Sequence, residues 1–167
     1  MDRSDFPLLV EWLAQPHVAQ WWGEPLNLAG LEKEYGACID EKDPTEVFVV
    51  LAGVRETPVG LVQFYRLSDN PQYRYAVGVE TAAGVDLFIG ERARCGHSMG
   101  PRLIRQAVDM IWKRYPDVTC TMAGPSMYNI RSHRAFEKAG FHFVRQVSVP
   151  DELEDEAIYV CPRPTSW

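Results

Sequence analysis

The chain has 167 residues, 46% of them hydrophobic and 24% charged, and 17 Lys and Arg stand against 23 Asp and Glu for a formal net charge of −6. That length can bury a core without disulfide staples. With no apolar run near the ~20 residues of a membrane span and no signal-peptide core in "MDRSDFPLLVEWL", one cytoplasmic domain over 1–167 with no membrane partner is expected. An acidic chain is a poor partner for nucleic acid, whose phosphates demand the opposite sign. Cys38, Cys95, Cys120 and Cys161 have no zinc-ligand spacing, so reduced thiols and no metal are expected.

In chain order, "SDFPLLVEWLAQ" repeats Phe6, Leu9, Val10 and Leu13 on one helical face, with Ser4 or Asp5 as N-cap. "PHVAQWW" is a short helical turn and "NLAGLEKEYGACIDE" a second amphipathic helix. "EVFVVLAGV", "TPVGLVQFYRLS" and "GVDLFIG" are strands by their β-branched and aromatic content. Leu103, Ile104, Ala107, Val108 and Ile111 form the buried face of the next helix. A strand "DVTCTMAG" follows, then a helix from about Ser126 to its stop at Gly140. "HFVRQVSVP" and "EAIYVCP" close the chain as a strand pair joined by the acidic run "DELEDE". The order predicts an α/β fold with a mixed, mostly antiparallel sheet and one parallel pair where a helix crosses over. The acidic run is either a solvated face or a surface that attracts a polycation.

Between "GVDLFIG" and its helix lies "RCGHSMG", residues 94–100. A strand, a loop and a helix N-terminus together can hold phosphate, because the first helical amides are unsatisfied and the helix dipole is positive there. Gly96 and Gly100 permit a tight turn and close approach, and Arg94 adds a guanidinium. There is no GxGxxG and no Walker lysine, which argues against NAD or a hydrolysed NTP.

With "PSMYNIRSHRAFEKAGF", this loop resembles the GCN5-related N-acetyltransferases. Their N-x-R-A/S-x-x-x-Y/F-E-K-x-G-F segment stands here as Asn129, Arg131, Ser132, Phe136, Glu137, Lys138, Gly140 and Phe141. "EWLAQPHVAQWWGEP", "GVDLFIG" and "VPDELEDEAIYV" resemble the aminoglycoside 6′-N-acetyltransferases in particular, over nearly the whole chain. The resemblance implies acetyl-CoA between two splayed central strands, with its pyrophosphate on the amides of residues 95–100. Leu87, Phe88 and Ile89 would face the thioester, with a backbone N–H near Leu87–Phe88 as oxyanion donor. Arg94, Cys95, Gly96, His97, Ser98, Met99 and Gly100 would line the phosphate loop, and Asn129, Phe136 and Lys138 would complete the cofactor site. Family members also carry a strand ahead of the position of Met1, so either that strand is missing from the recorded sequence or the sheet begins one strand short.

Several positions depart from the family pattern. Cys95 takes the usual Gln or Arg place and Ser98 the first Gly place, so the loop must rely on amides and on Ser98 adopting the turn. Phe136 stands where many members have the Tyr that protonates the departing thiolate; a thiol of pKa ~8.5 can leave to water instead. Gly124 replaces an Asp that some members use to bind the drug.

Asp86, in an otherwise apolar strand, is either an edge carboxylate bonded within the fold or the residue that captures and deprotonates the amine, as the resemblance implies. Trp21 and Trp22 divide between core and a sugar-stacking wall. Asp151 matches an acidic cleft position, and Glu80 is a further candidate. Cys95 has no His–Asp partner pattern to make it a nucleophile, and His97 is read as a phosphate neighbour, not a base. The function implied is transfer of acetyl to an amine of a polycationic aminoglycoside, by a monomer or homodimer. Two rivals are a siderophore-type acyltransferase acting on N6-hydroxylysine and a non-catalytic acyl-CoA-binding module.

Overall fold

The computed structural model describes residues 1–23, 27–70, 78, 81–96, 98–149 and 154–164. Five α-helices are described: α1 (Phe6–Leu13), α2 (Pro16–Trp22), α3 (Leu28–Ile39), α4 (Met99–Arg114) and α5 (Ile130–Ala139). The strands are β1 (Glu46–Ala52), β2 (Thr57–Arg66), β3 (Ala82–Ile89), β4 (Cys120–Ala123), β5 (His142–Val147) and β6 (Glu156–Pro162). They form one sheet in the order β1-β2-β3-β4-β6-β5. β3 and β4 are parallel, with α4 between them in the chain, while β4–β6 and β5–β6 are antiparallel. This is the α/β, mixed-sheet architecture expected from the order of elements.

The chain divides into two compact units, Met1–Gln63 with Leu87–Gly100, and Phe64–Asp86 with Pro101–Trp167. In the first, Phe6, Leu9, Trp12, Leu13, Val18, Leu31, Tyr35, Leu61 and Phe88 form the core. Each large aliphatic residue taken fully from water there contributes roughly 1.5–3 kcal/mol. In the second unit, Leu67, Ala82, Cys120, Met122 and Ile158 form a core cluster. Arg163 there donates to the carbonyls of Trp112, Tyr115 and Val118 at 3.0, 2.7 and 2.7 Å, so a cation closes the C-terminal end of α4.

Of two helix starts, that of α5 differs from expectation. Asp5 is the N-cap of α1, as expected, although its side chain makes no cap bond there; one turn earlier the Asp2 carboxylate accepts from the Ser4 N–H at 2.7 Å. It opens a 3₁₀ turn over Arg3–Asp5 in a capping box with Asp5, and α1 follows directly. Val10 is only half-buried and Trp12 takes the buried place beside Leu9 and Leu13. α5 begins after Asn129, not near Ser126, because Ser126 is held in a bridge to Glu156 and its carbonyl accepts from His133. Asn129 caps the helix by accepting from the Ser132 N–H at 3.1 Å, and Gly140 ends it in the left-handed region at φ 103.

The feature that shapes the site is the uneven length of β3 and β4. Their register runs from Ala82↔Cys120 to Gly84↔Met122, β4 ends at Ala123, and β3 continues to Ile89. The register of the parallel pair therefore ends at Gly84, two residues before Asp86.

Candidate active site

In the first unit the end of β3 is gripped from several directions. The Trp22 ring meets Phe88 edge-on at 4.8 Å, and Trp12 does so at 6.0 Å. The Trp22 indole N–H donates to the Tyr35 hydroxyl at 3.3 Å. His17 Nε2 lies 2.9 Å from the Ile89 carbonyl, and the Gly90 N–H donates to the Val59 carbonyl at 2.9 Å. Two glycines make these approaches possible. A Cβ at Gly60 would come within 2.2 Å of the Phe88 carbonyl oxygen, and one at Gly90 within 2.2 Å of the Trp12 ring.

Past Gly90 the loop contains a 3₁₀ turn, Arg92–Arg94, with the Cys95 N–H donating to the Arg92 carbonyl at 3.1 Å. Arg94 Nε donates to Glu91 Oε2 at 2.6 Å, so its guanidinium is tied to a neighbouring carboxylate. The Cys95 thiol is half-buried and near the Glu91 carbonyl at 3.8 Å. Gly96 has φ 87 and Ser98 φ 58. Ser98 thus takes the left-handed turn that a glycine supplies elsewhere in the family pattern, despite the strain on an L-residue. Met99 and Gly100 then open α4, whose leading amides lack partners within the helix.

In the second unit Asp86 is half-buried on β3, two residues beyond the last pairing with β4. Phe136 is buried, edge-on to Phe141 at 5.1 Å and stacked with Tyr159 at 6.4 Å. The Tyr159 hydroxyl donates to Glu137 Oε1 at 3.1 Å, and burial first, then Glu137, raises its pKa. Lys138 is exposed, and its carbonyl accepts from Arg105 at 2.7 Å.

Of the aromatic pair, Trp22 is the half-buried member against Phe88, while Trp21 is 39% exposed. Glu80, His97 and Asp151 lie outside the described residues. Among the described residues no group of His, Cys, Asp and Glu is arranged to hold a metal ion, and no helix is long and apolar enough to cross a membrane. His17 is the site neighbour that the sequence reading missed. A histidine in a short helix carries no signal of its own until the fold sets it against the end of β3.

β3 thus outruns its parallel neighbour β4 and leads through a left-handed turn into the N-terminus of α4. A model of the acetyltransferase (GNAT) domain matches residues 2–149, and the chain belongs to that family. Within it, the chain is 29% identical over 157 residues to aminoglycoside N(6′)-acetyltransferase type 1 of Klebsiella pneumoniae, covering 90% of this chain and 76% of that protein. Among solved structures, aminoglycoside acetyltransferase AAC(6′)-Ib in complex with coenzyme A and kanamycin is 26% identical, with a TM-score of 0.79 over 98% of this chain and 92% of that one. The same enzyme in complex with paromomycin and acetyl-CoA is also 26% identical at a TM-score of 0.79, over 98% of this chain and 90% of that one.

Proposed function

We propose that this chain is an acetyl-CoA-dependent aminoglycoside 6′-N-acetyltransferase that confers antibiotic resistance, working as a single domain, monomer or homodimer, in the cytoplasm. The observation that carries the acyl-transfer reading is the run of β3 past its last β4 partner, which leaves Asp86 and the backbone of Leu87–Ile89 beyond the parallel pairing. The aminoglycoside assignment rests on the likeness to enzymes of that name along nine-tenths of the chain. The free state of all four cysteines suits a reducing compartment.

The residues present fit acetyl-CoA. The loop offers main-chain amides at the start of α4, and Gly96 and Ser98 supply the left-handed backbone that turns the chain there. The donor supplies an activated acetyl group as a thioester. A backbone N–H of the Leu87–Ile89 segment polarises its carbonyl. The acceptor is a primary amine with a pKa near 10, so at pH 7 about 3 units, roughly 4 kcal/mol, separate it from its nucleophilic form. Asp86 attracts the ammonium and takes its proton, directly or through water. The amine nitrogen then bonds to the acetyl carbon as the carbon–sulfur bond breaks, and the nitrogen gives up its second proton to solvent. The thiolate leaves to solvent, because Phe136 has no proton to give and the Tyr159 hydroxyl is committed to Glu137. Trp21 offers an exposed aromatic face to a sugar ring, and the family resemblance makes Asp151 and Glu80 candidates for binding the polycation.

Thiol release from acetyl-CoA, followed with tobramycin and with N6-hydroxylysine as competing acceptors, tests this reading. Turnover with tobramycin and none with N6-hydroxylysine is expected. The reverse preference would assign the chain to the siderophore-type acyltransferases, and tight acetyl-CoA binding with no turnover on any amine would make it a binding module.

A further inference from the structure

We propose that His17 is a positioning residue for the acetyl donor, acting through the Ile89 carbonyl; the proposal rests on β3 being the strand that holds the thioester. His17 sits in the first turn of α2, half-buried, with Nε2 2.9 Å from the Ile89 oxygen. A carbonyl oxygen only accepts, so Nε2 carries the proton in this contact whether the ring is neutral or charged. The next amide, Gly90 N–H, donates to the Val59 carbonyl at 2.9 Å. The planar peptide unit joining Ile89 and Gly90 is therefore held at both its oxygen and its hydrogen, by α2 on one side and β2 on the other.

The grip extends one residue back. Trp22, in the last turn of α2, meets the Phe88 ring at 4.8 Å. Its own orientation is held by the indole N–H donating to the Tyr35 hydroxyl at 3.3 Å. The two ends of one helix thus hold two consecutive residues of β3, one through a directional hydrogen bond and the other through an aromatic contact. α2 spans only Pro16–Trp22, too short to persist as an isolated helix, so contacts of this kind set where it lies. Trp22 fixes the sideways position of the strand through apolar contact, which tolerates rotation. His17 adds what packing does not, a defined rotation of the Ile89–Gly90 peptide plane. That plane's own N–H is committed to Val59, and it anchors the preceding peptide planes that carry the polarising N–H. A backbone N–H that polarises a thioester must point at the carbonyl oxygen, and misplacement by ~1 Å can cost ~100-fold in rate. His17 limits that error without touching the substrate.

The test compares His17→Ala, which removes the donor, with His17→Gln, whose amide can donate to the same carbonyl but cannot titrate. Acetyl-CoA labelled with carbon-13 at the acetyl carbonyl is bound to each protein and its thioester carbonyl stretch is read by infrared difference spectroscopy, alongside kcat and KM with tobramycin and the affinity for CoA. In the wild type the band is expected to be displaced from its position in free acetyl-CoA. His17→Ala is expected to move the band back toward the free value and to lower kcat ~10-fold or more, with CoA affinity within about twofold of wild type. His17→Gln is expected to match wild type on each measure. If His17→Ala fails to fold, His17→Asn, too short to reach Ile89, carries the same expectation. A wild-type band at the free position, an unmoved band in the variant, or a His17→Gln as impaired as His17→Ala would overturn the proposal. The infrared reading uses no acceptor, so a wild type inactive on tobramycin would sink the aminoglycoside assignment and leave this test standing.

Discussion

Replacing Gly60 with alanine should disturb the end of β3. The new Cβ would lie 2.2 Å from the Phe88 carbonyl oxygen and 3.2 Å from both the Phe88 carbonyl carbon and the Ile89 Cα. Carbon–oxygen contacts settle near ~3.3 Å, so backbone atoms of β2 and β3 must separate by roughly 1 Å. The obstructing atoms are main chain, with no side-chain rotamer to relieve them. Overpacking of this kind costs ~1–3 kcal/mol. Against that stands the usual ~0.4–1 kcal/mol gained when a glycine with acceptable backbone geometry becomes alanine. The net is a loss of about 1–2 kcal/mol, or a Tm lower by ~2–8 °C for a chain of this size. Because the displaced residues are Phe88 and Ile89, kcat should fall ~10–100-fold even at temperatures where the variant remains folded. Differential scanning calorimetry and steady-state kinetics on the same preparation check both effects. A Gly60→Ala protein with an equal or higher Tm and full activity would refute the reasoning, since alanine in open space would have stabilised the strand.

Three further outcomes follow from the same physical picture. Asp86→Asn keeps the shape of the side chain and removes its charge and proton acceptor, so kcat at pH 7 should fall ~10²–10⁴-fold with acetyl-CoA binding little changed, and higher pH should restore part of the rate; near-full activity at pH 7 would end the case for Asp86 as the base. The KM for the aminoglycoside should rise with ionic strength, since a net charge of −6 attracts a polycation that salt screens within ~8 Å at physiological strength; a flat KM from low to high salt would rule out an electrostatic cleft. Arg66 holds Asp117 down at about 2 through hydrogen bonds of 2.6 and 2.8 Å, and a depressed carboxylate stabilises the fold above its unfolded pKa of ~3.9 and loses that contribution as pH falls through the folded value. Asp117→Asn should therefore lower the Tm slightly and evenly above pH ~4, with the gap to wild type closing toward pH 2; a gap that persists in acid would show a different origin.

Much of this architecture is legible in the residues because local and tertiary preferences agree. The Leu103–Ile111 stripe is the buried side of α4, with Ile104, Ala107, Val108 and Ile111 buried, and Gly140 ends α5 where a left-handed residue is needed. The start of α5 was not legible. Ser126 and Asn129 are both good caps, and the choice was made by the Glu156 bridge and by His133, partners 30 and 7 residues away in sequence. At the N-terminus Ser4 and Asp5 are both good caps, and Asp5 takes the place because a 3₁₀ turn capped by Asp2 ends there. Within the candidate site, the residue types of the 94–100 loop are plain from the chain, whereas the left-handed backbone of Ser98 is not, since serine rarely adopts it. Division of labour between Trp21 and Trp22 depends on where Phe88 and Tyr35 lie, and the contact of His17 with Ile89 joins residues 72 apart.

The central claim is that acetyl moves from acetyl-CoA to the 6′-amine of an aminoglycoside, and a single comparison of acceptors tests it most directly. The purified chain is given acetyl-CoA with an aminoglycoside carrying an amine at 6′ and, separately, with a close analogue carrying a hydroxyl there, and thiol release is followed while the products are analysed by NMR. Stoichiometric thiol release is expected with the 6′-amine compound, with a product acetylated at that nitrogen alone and no turnover of the hydroxyl analogue. Equal turnover of both compounds, or acetyl found on another nitrogen, would contradict it.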